Sequence, residues 1–196
     1  MVTRARQLEE IAAEALGCER CELHRLGTQT VFGAGAVPAD VMFVGEQPGD
    51  KEDREGQPFV GPAGGVLQRG LERTRLSERR VYLTNAVKHF RWEERGKRRI
   101  HKTPGVEHVR ACHVWLEEEL RLVRPKVLVL LGATAAKALA PELRVTRDRG
   151  RPLEVAGVPA VLTTHPSAVL RSRERDAAMA AFVADLEVVV GLLDAD

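Results

Sequence analysis

The sequence predicts a three-layer α/β/α domain around a central, mostly parallel, four-stranded sheet. Three observations carry this. Short apolar runs alternate along the chain with stretches of helical periodicity, the pattern of strand–helix–strand units. One run, Val127-Leu128-Val129-Leu130-Leu131, has no polar residue, which suits a strand covered on both faces. The runs also end in glycine or polar residues, which suits a ligand crevice at the carboxyl ends of parallel strands.

Each element has its own warrant. Leu8, Ile11, Ala12, Ala15 and Leu16 fall at helical spacing, and Gly17 supplies a stop. Residues 27–40 contain Gly, Ala and Pro and read as loop. Val41-Met42-Phe43-Val44 is the first strand. The stretch from Gly45 to Gly65 is about three times the length of a plain connection, so it reads as a functional loop. Val66, Leu67, Leu71 and Leu76 mark the next helix, and Val81 to Val87 the second strand. Val106, Val109, Leu116, Leu120 and Val123 share one face of a long helix that must stop before Pro125. His113 lies on that face as a packed histidine at the core's edge. Lys126 to Gly132 is the third strand, Ala133 to Ala140 a helix, and Val158 to Thr164 the fourth strand. Ala178, Phe182, Leu186, Val189, Val190 and Leu193 form the apolar face of a last helix. With no repeat and no linker, residues 1–196 read as one domain.

Composition sets bounds on function. Hydrophobic content of 44% and charged content of 30% are ordinary for a soluble globular protein. A chain of this size buries roughly 70% of its unfolded surface. No apolar run reaches about 18 residues, and the N-terminus lacks a signal-peptide core. The expectation is a cytoplasmic protein, nucleoid-associated in action, with no membrane partner. No heptad seam is visible, so a monomer is expected. The segment from Lys88 to Lys102 holds seven Lys or Arg against two Glu, on a chain of net charge +2. That is either a solvated loop or a polyanion contact. Three cysteines, Cys18, Cys21 and Cys112, argue against a disulfide framework. Cys18-x-x-Cys21 suits a metal or a cluster, but two ligands are too few.

Polar groups sit at three strand ends: Glu46 to Asp50, Asn85 and His165. Parallel strands would bring them to one pocket. With Phe59 as an aromatic wall, an Asn amide there suits a flat heterocycle, whose N–H and C=O edge it can read. Taken singly, Asn85 is also read as a strand-end cap and His165 as a structural hydrogen bond.

Gly45-Glu46-x-Pro48-Gly49, Glu52-Asp53-x-x-Gly56-x-Pro58-Phe59-Val60-Gly61, Thr84-Asn85-Ala86-Val87-Lys88 and His165-Pro166-Ser167 together resemble the iron–sulfur uracil-DNA glycosylases of family 4. The match runs from Cys18 to Arg171. Two departures, Gln47 where that family has Ala and the run Lys97-Arg98-Arg99-Ile100-His101, resemble its UdgX branch, whose members bond covalently to DNA after removing uracil. The resemblance implies a DNA repair enzyme acting on uracil-containing DNA, single-stranded or flipped from a duplex. It implies a [4Fe-4S] cluster held by Cys18, Cys21, Cys112 and His89, the last standing where the family has a cysteine. A Cys₃His zinc site is the alternative for those four.

Roles follow from the same resemblance. Phe59 stacks on uracil, Asn85 reads its N3/O4 edge, His165 faces O2, and Gly45 and Gln47 complete the base-binding set. His101 attacks C1′, with Glu46 taking the other ring proton, while Asp50 and Gln47 shape that corner or orient water. Lys97, Arg98, Arg99 and Lys102 contact phosphates. Ser167 and Arg171 grip the backbone, and Val169 and Leu170 either enter the duplex or pack in the core. Three rival readings are a conventional family 4 glycosylase that releases an abasic site, a non-catalytic uracil-DNA binding protein, and a metal-stabilised nucleotide hydrolase. The last lacks a phosphate loop and an obvious carboxylate metal set.

Overall fold

The computed structural model describes residues 2–195. In chain order its elements are α1 (Arg4–Ala15), α2 (Leu23–Leu26), β1 (Ala34–Gly35), β2 (Val41–Gly45), α3 (Asp50–Glu55), α4 (Pro62–Arg73) and β3 (Val81–Asn85). Then come β4 (Trp92–Arg95), β5 (Arg98–His101), α5 (Val106–Val123), β6 (Val127–Leu131), α6 (Ala133–Leu139) and α7 (Val145–Asp148). The chain closes with β7 (Pro152–Val155), β8 (Val158–Thr163), α8 (Pro166–Arg171) and α9 (Arg175–Asp194).

The sheet has six strands, not four, in the order β1-β3-β2-β6-β8-β7. The four central strands are the expected ones, and they are parallel. The two additions are antiparallel edges. β1 is two exposed residues, too short for any periodicity to register. β7 begins at Pro152, tolerable on an edge, and turns into β8 through Ala156 and Gly157, both at positive φ. The stretch expected as a basic loop is a hairpin, β4 on β5, turning at Gly96 with φ +61°. α3 likewise interrupts the long connection after β2.

β2 and β6 bury both faces along their whole length, and β3 and β8 bury most of theirs. Met42, Val44, Leu128, Leu130, Ala160 and Leu162 face one layer, with Leu116 and Ala135 from α5 and α6. Val41, Phe43, Val129 and Val161 face the other, under α4 and α9, where Val66, Phe182 and Leu186 meet them. Full burial of each large apolar side chain contributes about 1.5–3 kcal/mol. Val169 is 5% exposed and belongs to this second layer, so of its two readings core packing holds. Among the described residues no helix is long and apolar enough to cross a membrane.

Register places the site. Gly45 pairs with Asn85, and Leu131 with Thr163, so β2, β3 and β8 all end at one edge of the sheet.

Candidate active site at the carboxyl ends of the parallel strands

A cavity of about 800 Å³ opens at that edge. The connection after β2 supplies Glu46, Gln47, Asp50 and Phe59 to its wall, and β3 supplies Asn85. His101 enters from the end of β5, and His165, Ser167, Leu170 and Arg171 come from α8 and its start. Residues up to 125 positions apart in the sequence therefore share one space.

Asn85 is 3% exposed, yet among the described residues its side-chain amide bonds to no protein group. Its donor and acceptor are left for whatever enters the cavity. Phe59 stands beside it with φ +58°, a conformation that a bulky residue adopts only when its surroundings impose it. The imposition is visible at two glycines. A Cβ on Gly64 would lie 1.7 Å from the Phe59 carbonyl oxygen. One on Gly45 would lie 2.4 Å from Asn85 Oδ1 and 2.7 Å from Phe59 Cζ. Gly45 therefore does not bond to a ligand through a side chain; it makes room for the two residues that shape the slot. Glu52 holds the frame, accepting from the backbone N–H of Gly49 at 3.1 Å and of Gly61 at 2.8 Å.

His165 is oriented by its own helix. The backbone N–H of Ser167 donates to Nδ1 at 3.2 Å, and Ser167 Oγ lies 2.8 Å from the same atom. A backbone N–H can only donate, so Nδ1 carries the lone pair and the proton sits on Nε2. Burial, with Arg171 and His101 nearby, pushes this imidazole down to about 4. It is a neutral Nε2–H donor at physiological pH. Its ring stacks on Phe59, centroids 6.5 Å apart.

His101 sits in a different setting. Its side chain is 47% exposed, with Nε2 3.4 Å from Glu46 Oε1. Burial by the hairpin and the nearby Arg171 lower its pKa against the pull of Glu46, which favours neutral imidazole. Glu46 is fixed from behind by Thr134 Oγ1, which donates to Oε2 at 2.5 Å. The hairpin carrying His101 is clamped at its base by Gln47. That amide donates to the carbonyls of Arg91 and Lys102 at 3.1 and 3.0 Å and accepts from Arg91 N–H at 3.1 Å. Gln47 is 6% exposed, and its amide groups are committed to the hairpin backbone rather than to a ligand.

The basic residues divide. Lys97 and Arg98 are exposed at the hairpin turn, without an acidic partner among the described residues. Arg99 does not extend towards solvent as expected. Its guanidinium lies 2.5 Å from Asp50 and 2.6 Å from Asp53, and packs over Phe90 and Trp92. Two carboxylates on α3 hold it, which ties the hairpin to α3. Asp50 is correspondingly occupied by Arg99 and Arg54. Lys102 pairs with Glu93 at 2.7 Å on the exposed surface, a contact worth about 0–1 kcal/mol that phosphate can displace.

The three thiols expected at a cluster lie near one another, and His89 follows Lys88, whose backbone N–H meets Cys112. Cys21 and Cys112 join a small apolar group with Leu23, Val87 and Val109. Cys18 Sγ accepts from Trp115 Nε1–H at 3.2 Å, and Cys112 Sγ from Lys88 N–H at 3.5 Å. Burial pushes the Cys112 thiol up to about 11. Thr30 Oγ1 donates its only proton to the Ala15 carbonyl and lies 3.0 Å from His89 Nε2. Nε2 must therefore carry the ring proton, leaving the lone pair on Nδ1 for a ligand. Among the described residues no three His, Cys, Asp or Glu side chains close on the point a single ion would occupy.

Beneath the cavity lies a buried ion pair. Lys88 Nζ is 2.6 Å from Glu119 and donates to Thr84 Oγ1 and the Asn85 carbonyl, both at 2.7 Å. Glu119 also accepts from Tyr82, Thr84 and Gly33. Such a pair holds geometry more than it adds stability. Thr134, Glu119 and the pairing of Asp53 with Arg99 were not among the expected site residues. Gly49 and Gly132, the N-caps of α3 and α6, stand shortly before Asp53 and Thr134 and are the local signal for them.

The chain matches the Uracil DNA glycosylase superfamily over residues 32–187. It is 34% identical over 179 residues to the Type-4 uracil-DNA glycosylase of Thermotoga maritima, covering 90% of each chain. The Type-4 uracil-DNA glycosylase of Archaeoglobus fulgidus is 34% identical over 172 residues, 83% of each chain. That of Pyrobaculum aerophilum is 36% identical over 163 residues, 79% of this chain and 80% of the relative.

Proposed function

Because the chain belongs to the uracil-DNA glycosylase superfamily, we propose that it cleaves the N-glycosidic bond of deoxyuridine in DNA and that His101 then captures the sugar. The observation that carries the first step is the uncommitted Asn85 amide between Phe59 and a neutral, Nε2-protonated His165. The base must leave the stack to reach it, or be taken from a single strand. Phe59 stacks on uracil and Asn85 pairs with its N3–H and O4. As the bond breaks, its electron pair goes to N1 and charge spreads to O2. The His165 Nε2–H donates to O2 and stabilises the leaving anion.

The second step rests on His101 sharing that cavity, with Glu46 3.4 Å away. The oxocarbenium carbon C1′ accepts the lone pair of one imidazole nitrogen. The imidazolium so formed passes its remaining N–H proton to Glu46, so the adduct is neutral at histidine. Thr134 and the Gln47 clamp keep carboxylate and imidazole in register. Lys97, Arg98 and Arg171 meet phosphates, a salt-dependent contribution to affinity.

A second reading has water capture C1′ and release an abasic site. The names of the three relatives favour it, since each is a Type-4 uracil-DNA glycosylase. Boiling the protein in detergent with a uracil-containing single strand separates the two on a denaturing gel. A retarded band that requires both uracil and His101 supports capture. Free protein with an alkali-labile strand supports release by water.

We further propose that Cys18, Cys21, Cys112 and His89 hold a [4Fe-4S] cluster. Three thiols and an imidazole with Nδ1 free suit its ligand chemistry, and a cluster spreads its ligands wider than one ion does. Bound there, it would tie the segment after α1 to β3 and α5. Excision and capture proceed through the side chains already named. The protein acts as a monomer in this reading.

A further inference from the structure

We infer that the groove between α5 and α6 binds the nucleotide next to the extruded deoxyuridine, an inference that rests on the uracil-excision reading above. The groove encloses about 440 Å³, inside the roughly 300–1,000 Å³ span of small-molecule pockets. Its buried and half-buried lining is apolar, from Pro104, Val109 and Ala138, with Pro141 exposed at the edge. Val106 on its rim is 56% exposed, one of the few large apolar side chains left open on this surface.

The charge on the groove has one sign. Arg110 on α5 and Lys137 on α6 line the groove from its two helices, both exposed, and neither has an acidic partner among the described residues. His113 completes the wall, its Nε2 3.2 Å from Glu117. No carboxylate lines the groove, whereas the catalytic cavity has Glu46, Asp50 and Glu52 on its wall. An apolar lining with two free cations matches a nucleotide, which presents flat apolar faces and a phosphate on either side.

The groove adjoins the catalytic cavity. Thr103, two residues beyond His101, lines both. Thr134 lines the groove and holds Glu46 by its hydroxyl. A strand whose deoxyuridine is placed against His101 and Glu46 leaves the cavity past these two threonines. The groove is then the first surface it meets on that side, and an extended single strand can follow it without unpairing. It thus assigns the flank of the DNA on one side of the lesion to residues of α5 and α6.

The test compares uracil release by wild type and Arg110→Glu/Lys137→Glu on three single-stranded oligonucleotides. One has several nucleotides on both sides of deoxyuridine. The others end at deoxyuridine on the 5′ or the 3′ side. Both substituted side chains are exposed, and an unchanged melting temperature checks the fold. On the long strand at low salt the variant should lose about tenfold or more in the second-order rate constant for single-turnover uracil release, with a shallower salt dependence. On one of the shortened strands, and only one, the two proteins should become equal. Val106→Ser should show a smaller loss with the same dependence on that flank. An equal loss on all three strands, or none on any, overturns the assignment. A complete absence of loss would leave the groove to an apolar protein partner. If wild type itself frees no uracil from the long strand, it is the excision reading that fails, whatever the variant does.

Discussion

Two histidines face one cavity from opposite kinds of structure. His165 stands just beyond a parallel strand whose last four residues are buried, its ring set by the first turn of α8. His101 stands at the end of a two-stranded hairpin whose outer residues are exposed. The first is positioned by local geometry on a rigid scaffold. The second is positioned by long-range ties: Gln47 to the hairpin base, and Arg99 to Asp50 and Asp53. Sheet-edge geometry is shared by every reaction the fold can support, whereas the hairpin is an addition that can be loosened separately. Base release should therefore depend on His165 and capture on the hairpin.

The largest separation comes from His101→Ser. Covalent adduct should vanish while uracil release continues through water, measured as adduct on a denaturing gel and uracil by chromatography. His165→Ala should act on the other arm, lowering single-turnover release by about 10²–10³-fold, the usual cost of one oxyanion donor. Release unchanged in that variant would remove His165 from the chemistry. Gln47→Ala should let the hairpin shift. Adduct formation should slow by up to about 10²-fold, as for a misplacement near 1 Å, while release changes little. Equal losses in both steps would mean that the hairpin and sheet edge are not separable.

pH sharpens the comparison further. The folded His165 imidazole is held at about 4, below the ordinary 6.5. Between those values the unfolded chain binds the proton first, so this group lowers stability as pH falls from 6.5 towards 4 and has no effect above 6.5. Protonating Nδ1 also opposes the Ser167 N–H. Uracil release should hold its rate well below pH 6.5 and decline towards 4. A decline centred at 6.5 would place His165 in a less buried setting. The smallest effect is expected from Lys97→Ala/Arg98→Ala. Chemistry should be unchanged, with the slope of log affinity against log salt shallower by about 1–2.

The four central strands and the rigid half of the site were legible because both depend on short stretches. Apolar runs of four and five residues announce β2 and β6, and the residues at their ends announce the cavity. β1 and β7 were not legible, being two residues long and proline-headed respectively. The ties of the hairpin half are not legible locally, for a related reason. Arg99 sits in a basic run and looks like a phosphate contact, but its partners lie 49 and 46 positions away. Gln47 looks like a ligand-facing amide until its partners, 44 and 55 positions away, are known. Contacts of that range leave no local pattern.

Peptide mapping by mass spectrometry, after mixing the protein with a uracil-containing single strand, tests the central claim most directly. The account predicts one modified peptide, carrying the deoxyribose-linked strand without uracil, with the modification on His101. An abasic strand and an unmodified protein, or a modification on any other residue, would contradict it.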